Sequence, residues 1–75
     1  MLVWMFFPAY GQENIQLWEK ANAFYNTEEF QQAVALYQQI LDSGEESARL
    51  YFNLGNAWYK AGNINEAILN YERAK

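Results

Sequence analysis

The chain contains no cysteine and no histidine. Without cysteine, no disulfide staples the fold and no thiolate holds a metal. Without histidine, the commonest general base and metal ligand is missing. Ser43, Ser47 and Thr27 therefore have neither a histidine nor a cysteine beside them for nucleophilic chemistry. Basic residues are also scarce. Five Lys and Arg stand against nine Asp and Glu, for a net charge of −4, and the five are scattered. Nucleic acid calls for a basic stripe, so it is not an expected partner. Pro8 is the only proline, and no β-branched run alternates with polar residues, so no strand is expected. No apolar run approaches the ~20 residues that span a bilayer. The acidic pairs Glu28-Glu29 and Glu45-Glu46 read as solvated turn residues, and Asp42, Glu45 and Glu46 match no calcium loop. Gly55 and Gly62 form no phosphate cradle. No cofactor and no metal is expected, and an enzyme is the least expected class.

What is present is aromatic and helical. A chain of 75 residues holds one domain with a modest core. Phe, Trp and Tyr make up 19% of it, enough to fill that core or line a binding face. Residues 1–11, MLVWMFFPAYG, carry no charge, whereas every charged residue lies at Glu13 or later. The run Leu2–Phe7, the break at Pro8 and the small residues after it resemble the end of an export signal, with cleavage after Gly11. A basic start and a full-length apolar stretch are both missing. The other reading is an apolar segment packed on the domain or kept as an anchor. Residues 12–75 form the domain proper.

Four helices are expected in that domain, at about Glu13–Asn26, Glu29–Asp42, Ser47–Lys60 and Ile64–Lys75. Thr27 or Glu29 is a candidate cap for the second helix, and Gly44 a left-handed stop after it. Ser47 is the expected N-cap of the third. Asn63 with Glu66 resembles a capping box at the fourth. No stop signal follows the last helix.

A shift of 34 residues lays the second half on the first. Asn22 falls on Asn56, Ala23 on Ala57, Tyr25 on Tyr59, Ala33 on Ala67 and Tyr37 on Tyr71. Ala21 falls on Gly55, Phe24 on Trp58, Phe30 on Ile64 and Val34 on Ile68. The matches gather at small and aromatic positions, where helix packing constrains the side chain. The period and spacing resemble the tetratricopeptide repeat. Tyr51, Leu54, Gly55, Trp58, Ala67, Tyr71 and Ala74 hold its signature positions in the second repeat. Leu17, Ala21, Phe24, Ala33, Tyr37 and Ile40 hold them in the first. Lys20 and Glu45 depart from the pattern, where leucine and proline are usual. The resemblance implies an all-α solenoid of two helix-turn-helix repeats, about 14–47 and 48–75. The segment ILDSGEESARLYFNLGNAWYKAGN further resembles the repeat region of the Bat aerotolerance proteins of Bacteroidetes-type bacteria.

The family resemblance implies a concave groove, lined by the first helix of each repeat, that binds a peptide or a protein partner. One face of the first helix carries Ile15, Trp18, Asn22, Tyr25 and Asn26, and one face of the third carries Arg49, Phe52, Asn56, Tyr59 and Lys60. The asparagines are candidate partners for a peptide backbone, and the aromatics candidate apolar anchors. The same aromatics are equally readable as scaffold. Chaperone-binding repeat proteins hold a carboxylate with lysine, asparagine and arginine. Asn22 and Asn53 match their asparagines, but Trp18 stands where the lysine belongs. The functional expectation is therefore a protein-interaction scaffold. The Bat resemblance adds an exported, periplasmic or inner-membrane-associated location and other Bat components, including von Willebrand factor A-type proteins, as partners. The alternatives are a cytosolic co-chaperone-like adaptor and a self-associating structural unit. Ile68, Leu69 and Ala74 would leave the last helix apolar at its end, so a continuing chain or a homo-oligomer through that helix is expected.

Overall fold

The computed structural model describes residues 10–75, with side-chain environments from Asn14 onward. The run Leu2–Phe7, and the export reading placed on it, lie outside the described residues. Four helices follow in order: α1 Tyr10–Asn26, α2 Phe30–Asp42, α3 Ala48–Lys60 and α4 Ile64–Arg73. Each packs on the next along the chain: α1 on α2, α2 on α3, and α3 on α4. No strand occurs among the described residues. α1 begins earlier than expected, so Tyr10 and Gly11 form its first turn instead of ending the apolar segment.

The two turns inside the repeats are copies of one another. After α1, the Glu29 N–H donates to the Phe24 carbonyl at 2.8 Å and that of Glu28 to Tyr25 at 3.0 Å. After α3, Asn63 donates to Trp58 at 2.9 Å and Gly62 to Tyr59 at 3.0 Å. This paired pattern closes a helix through one left-handed residue. Gly62 adopts it at φ +95°, while Glu28 must adopt it at φ +64°. A side chain in that region costs about 1–2 kcal/mol, so the first turn carries strain that the second avoids.

The caps divide between expected and unexpected. The Ser47 hydroxyl accepts from the Leu50 N–H at 3.0 Å, and Asn63 Oδ1 accepts from the Glu66 N–H at 3.1 Å. The box at α4 is only half formed, because the Asn63 N–H is committed to the turn. Thr27 does not cap α2. Its hydroxyl contacts the Ala23 and Phe24 carbonyls and lies 2.7 Å from Glu29 Oε2, so it serves the end of α1. Glu29 is the N-cap residue of α2, without a side-chain bond to the helix.

The core lies between the helices and is built from a few large side chains set against small ones. Trp18, Val34, Tyr37, Ile40, Leu50 and Leu54 are buried, with Ala21, Ala33 and Ala57 between them. On α3, Leu50, Leu54 and Ala57 follow i, i+4, i+7, which is one helical face. Gly55 is a point of close approach to α4. A Cβ there would lie 2.7 Å from two ring atoms of Tyr71 and 3.3 Å from the Ala67 carbonyl oxygen.

Candidate functional site

α1 and α3 present a shared cleft of about 200 Å³, lined by Asn22, Tyr25, Tyr37, Asn53 and Asn56. Its geometry repeats with the sequence. Tyr37 Oη donates to Asn22 Oδ1 at 2.5 Å, and Tyr71 Oη donates to Asn56 Oδ1 at 2.5 Å. In both repeats the hydroxyl donates to the amide oxygen, which leaves Nδ2 turned away from the tyrosine. The Nδ2 groups of Asn22 and Asn56 make no hydrogen bond among the described residues. Each asparagine therefore keeps two N–H donors free, on a side chain held from below by a tyrosine. Carbonyl oxygens along an extended peptide are the natural acceptors for such donors.

The remaining expected site residues fall in different places. Tyr25 is half-buried and packs edge-on against Phe30, with centroids 5.2 Å apart, so it acts as scaffold as well as lining. Asn53 is half-buried and lines the cleft; Asn26, Tyr59 and Lys60 are exposed and are not among its lining residues. Ile15 is exposed on the first turns of α1.

Trp18 is not an open anchor. It is 8% exposed, whereas its counterpart Phe52 is 53% exposed. Its ring meets Tyr37 edge-on at 5.6 Å, its Nε1–H donates to Glu45 Oε2 at 3.1 Å, and the Arg49 guanidinium lies 4.3 Å from its centroid. A partner would have to displace Arg49 to reach it. Arg49 is exposed but occupied on one face by this stacking. Glu45, expected as a solvated turn acid, is partly buried and also accepts from Asn14 Nδ2 at 2.9 Å. Asn14 in turn pairs with the Ser43 hydroxyl at 3.2 Å. No local spacing announces this network, because its members lie 27 to 31 residues apart. Tyr37 and Tyr71 were legible as core residues but not as the groups that orient the asparagines. The signal available was the recurrence of Asn and Tyr fifteen positions apart in both repeats.

Burial, with Tyr25 nearby, pushes the Tyr37 hydroxyl above its ordinary pKa, with Arg49 opposing. Burial raises Tyr71 as well. Raised values mean that the fold holds the neutral phenols and disfavours the phenolates. Their contribution to stability is fully present below the unfolded value near 10 and is lost as pH rises through the higher folded values. A thermal melt taken in steps above pH 10 should therefore show falling stability, with a shallower fall in Tyr37→Phe. An equal fall in both proteins would exclude Tyr37 as a contributor.

Among the described residues, no cluster of three or more Asp and Glu is placed to hold a metal, and no helix is long and apolar enough to cross a membrane. The arrangement consists of paired helices, small-residue contacts at their crossings and a repeated asparagine–tyrosine motif on one face. It defines a helical-repeat protein. The pattern of the Tetratricopeptide repeat family matches residues 19–75, and the chain belongs to that family. Repeats of this family generally mediate protein–protein interaction. Comparison with curated proteins and with solved structures returned no match.

Proposed function

We propose that the face shared by α1 and α3 binds an extended segment of a partner protein through its backbone. The observation that carries this reading is the oriented pair Asn22 and Asn56, each fixed by a tyrosine and each with free N–H donors over one cleft. Backbone recognition asks little of the partner's side chains, as suits a scaffold module. With no histidine or cysteine in the chain, we read the module as a binder and not as an enzyme.

Substitution can separate binding from folding. Asn56→Asp keeps an oxygen to accept from Tyr71 but removes the donors. Peptides selected from a random displayed library on the wild-type protein should bind Asn56→Asp at least tenfold more weakly, about 1.4 kcal/mol. Helicity and melting temperature should stay near wild type. Equal affinity for every selected peptide would overturn the reading.

The finer proposal is a component of an exported or membrane-associated Bat-type complex. It is supported by the likeness of the segment ILDSGEESARLYFNLGNAWYKAGN to that family and by the charge-free start of the chain. A reporter active only after export, fused behind Gln12, tests the location; a reporter that stays inactive favours a cytosolic adaptor. The carboxylate-clamp alternative gains nothing. Asn22 and Asn53 do meet at the cleft, but the lysine position is the buried Trp18.

A further inference from the structure

Glu45 stands where the repeat pattern usually has proline, and it lines no part of the cleft. A proline side chain offers no acceptor, whereas a carboxylate offers two oxygens. Both are used. Oε1 accepts from Asn14 Nδ2 at 2.9 Å, and Oε2 accepts from Trp18 Nε1 at 3.1 Å. Both donors belong to α1, while Glu45 lies in the loop that leads into α3. Asn14 is 6% exposed and also donates to the hydroxyl of Ser43, the residue that caps the end of α2. Arg49, from the first turn of α3, covers the Trp18 ring. Together these contacts clasp α1 to the entry of α3. The clasp is not a copied feature of the repeat. Ala48 and Phe52 fall where Asn14 and Trp18 stand, and neither side chain has a donor.

The clasp lies one helical turn below the cleft. Trp18 is four residues before Asn22 on α1, and Arg49 is four before Asn53 on α3, about 6 Å along each axis. Trp18 also meets Tyr37, whose hydroxyl orients Asn22. Across the cleft itself no hydrogen bond joins α1 to α3 among the described residues. The separation of Asn22 from Asn56 is therefore set from below, by the packing of both helices on α2 and by this clasp. We infer that Glu45 is a positioning residue: its carboxylate holds α1 against the entry of α3, at the separation where Asn22 and Asn56 reach one extended segment together. The inference rests on the backbone binding proposed for the cleft. Donors on separate helices meet the carbonyls of one strand best when their spacing is fixed beforehand, because any looseness must be frozen out on binding. Hydrogen bonds to a carboxylate are short and directional, which suits them to fixing that spacing. Without the carboxylate, α1 still packs on α2 and α2 on α3. The helices persist, and the angle between the repeats loosens.

The chain has no cysteine, so Asn26→Cys with Lys60→Cys takes one pair of spin labels at equivalent ends of α1 and α3. Both positions are exposed and neither lines the cleft. Double electron–electron resonance then reads the separation in the labelled parent, in Glu45→Ala and in Trp18→Phe. The second variant keeps a ring beneath Arg49 and removes only the donor. A broader distribution of distances is expected in both, broadest in Glu45→Ala, with unchanged helicity at the same temperature. Glu45→Gln retains one acceptor oxygen and should fall between. Peptides selected from a random displayed library on the unlabelled wild type should bind Glu45→Ala roughly tenfold more weakly. An unchanged distribution in Glu45→Ala and Trp18→Phe would overturn the proposal, whatever the peptides do. So would a broadened distribution with undiminished affinity, where Asn56→Asp still weakens binding. If Asn56→Asp binds every peptide as wild type does, the backbone reading of the cleft fails instead, and the label distances alone decide the clasp.

Discussion

Trp18→Ala is expected to unfold the first repeat at temperatures where wild type is fully helical. Removing a buried tryptophan costs about 3–5 kcal/mol, a large share of the roughly 5–15 kcal/mol that holds a domain together. Here the loss goes beyond packing. The ring fills the space beside Tyr37, its Nε1–H binds Glu45, and its face carries Arg49. Truncation leaves a cavity and takes one donor from the partly buried Glu45 carboxylate. Phe52→Ala, the same change 34 residues on, should cost under about 1.5 kcal/mol, since that ring is largely in water already. Chemical denaturation of both variants checks the pair of values. Comparable losses at the two positions would show that Phe52 is buried in solution.

Gly55→Leu carries the second large effect. The Tyr71 ring occupies the place of the missing side chain, with two of its carbons 2.7 Å from where a Cβ would sit. The ring cannot withdraw freely, because its hydroxyl is bonded to Asn56 and the Phe52 ring lies tilted beside it at 5.8 Å. Gly55→Ala should cost about 1–3 kcal/mol by overpacking, offset in part by alanine's better helix propensity. Leucine adds branched bulk that neither Tyr71 nor the Ala67 carbonyl can accommodate, and α3 should separate from α4. Loss of helical signal at 25 °C, and loss of amide protection in residues 48–75, are the measurements. A Gly55→Leu protein that melts with wild type would mean that the two helices do not cross this closely. Repeat one already carries Ala21 at the same position, fully buried, so a methyl group is tolerable where the partner ring sits differently.

The helices were legible because their signals are local. Apolar spacing on α2 and α3, Ser47 and Asn63 at the caps, and Gly44 and Gly62 at the stops are each read within one or two turns of chain. The close crossing at Gly55 was legible too, from small residues placed opposite aromatics in both repeats. Glu28 shows where this fails. Nothing about glutamate announces a left-handed residue; only the equivalence with Gly62, imposed by the same turn hydrogen bonds, puts it there.

The candidate site was half legible. Asn22 and Asn56 stood out by their helix faces, and Asn53 only by its match to a clamp asparagine; the three line one cleft. Trp18 lay on the same face by spacing and yet is buried, because periodicity states which way a side chain points and not what lies beyond it. Arg49 and Glu45 come from the next repeat to cover it. Phe52, one period later, has no such cover among the described residues and stays exposed.

The sequence by itself determined four helices, their turns, their pairing and the family of this protein. Those follow from hydrogen bonds and side-chain contacts closed within one repeat. Only the tertiary structure decided which of two equivalent side chains is core and which is surface. It also decided which atom of each asparagine is occupied. Such outcomes depend on groups brought together from separate repeats, and burial belongs to the assembled neighbours rather than to the residue.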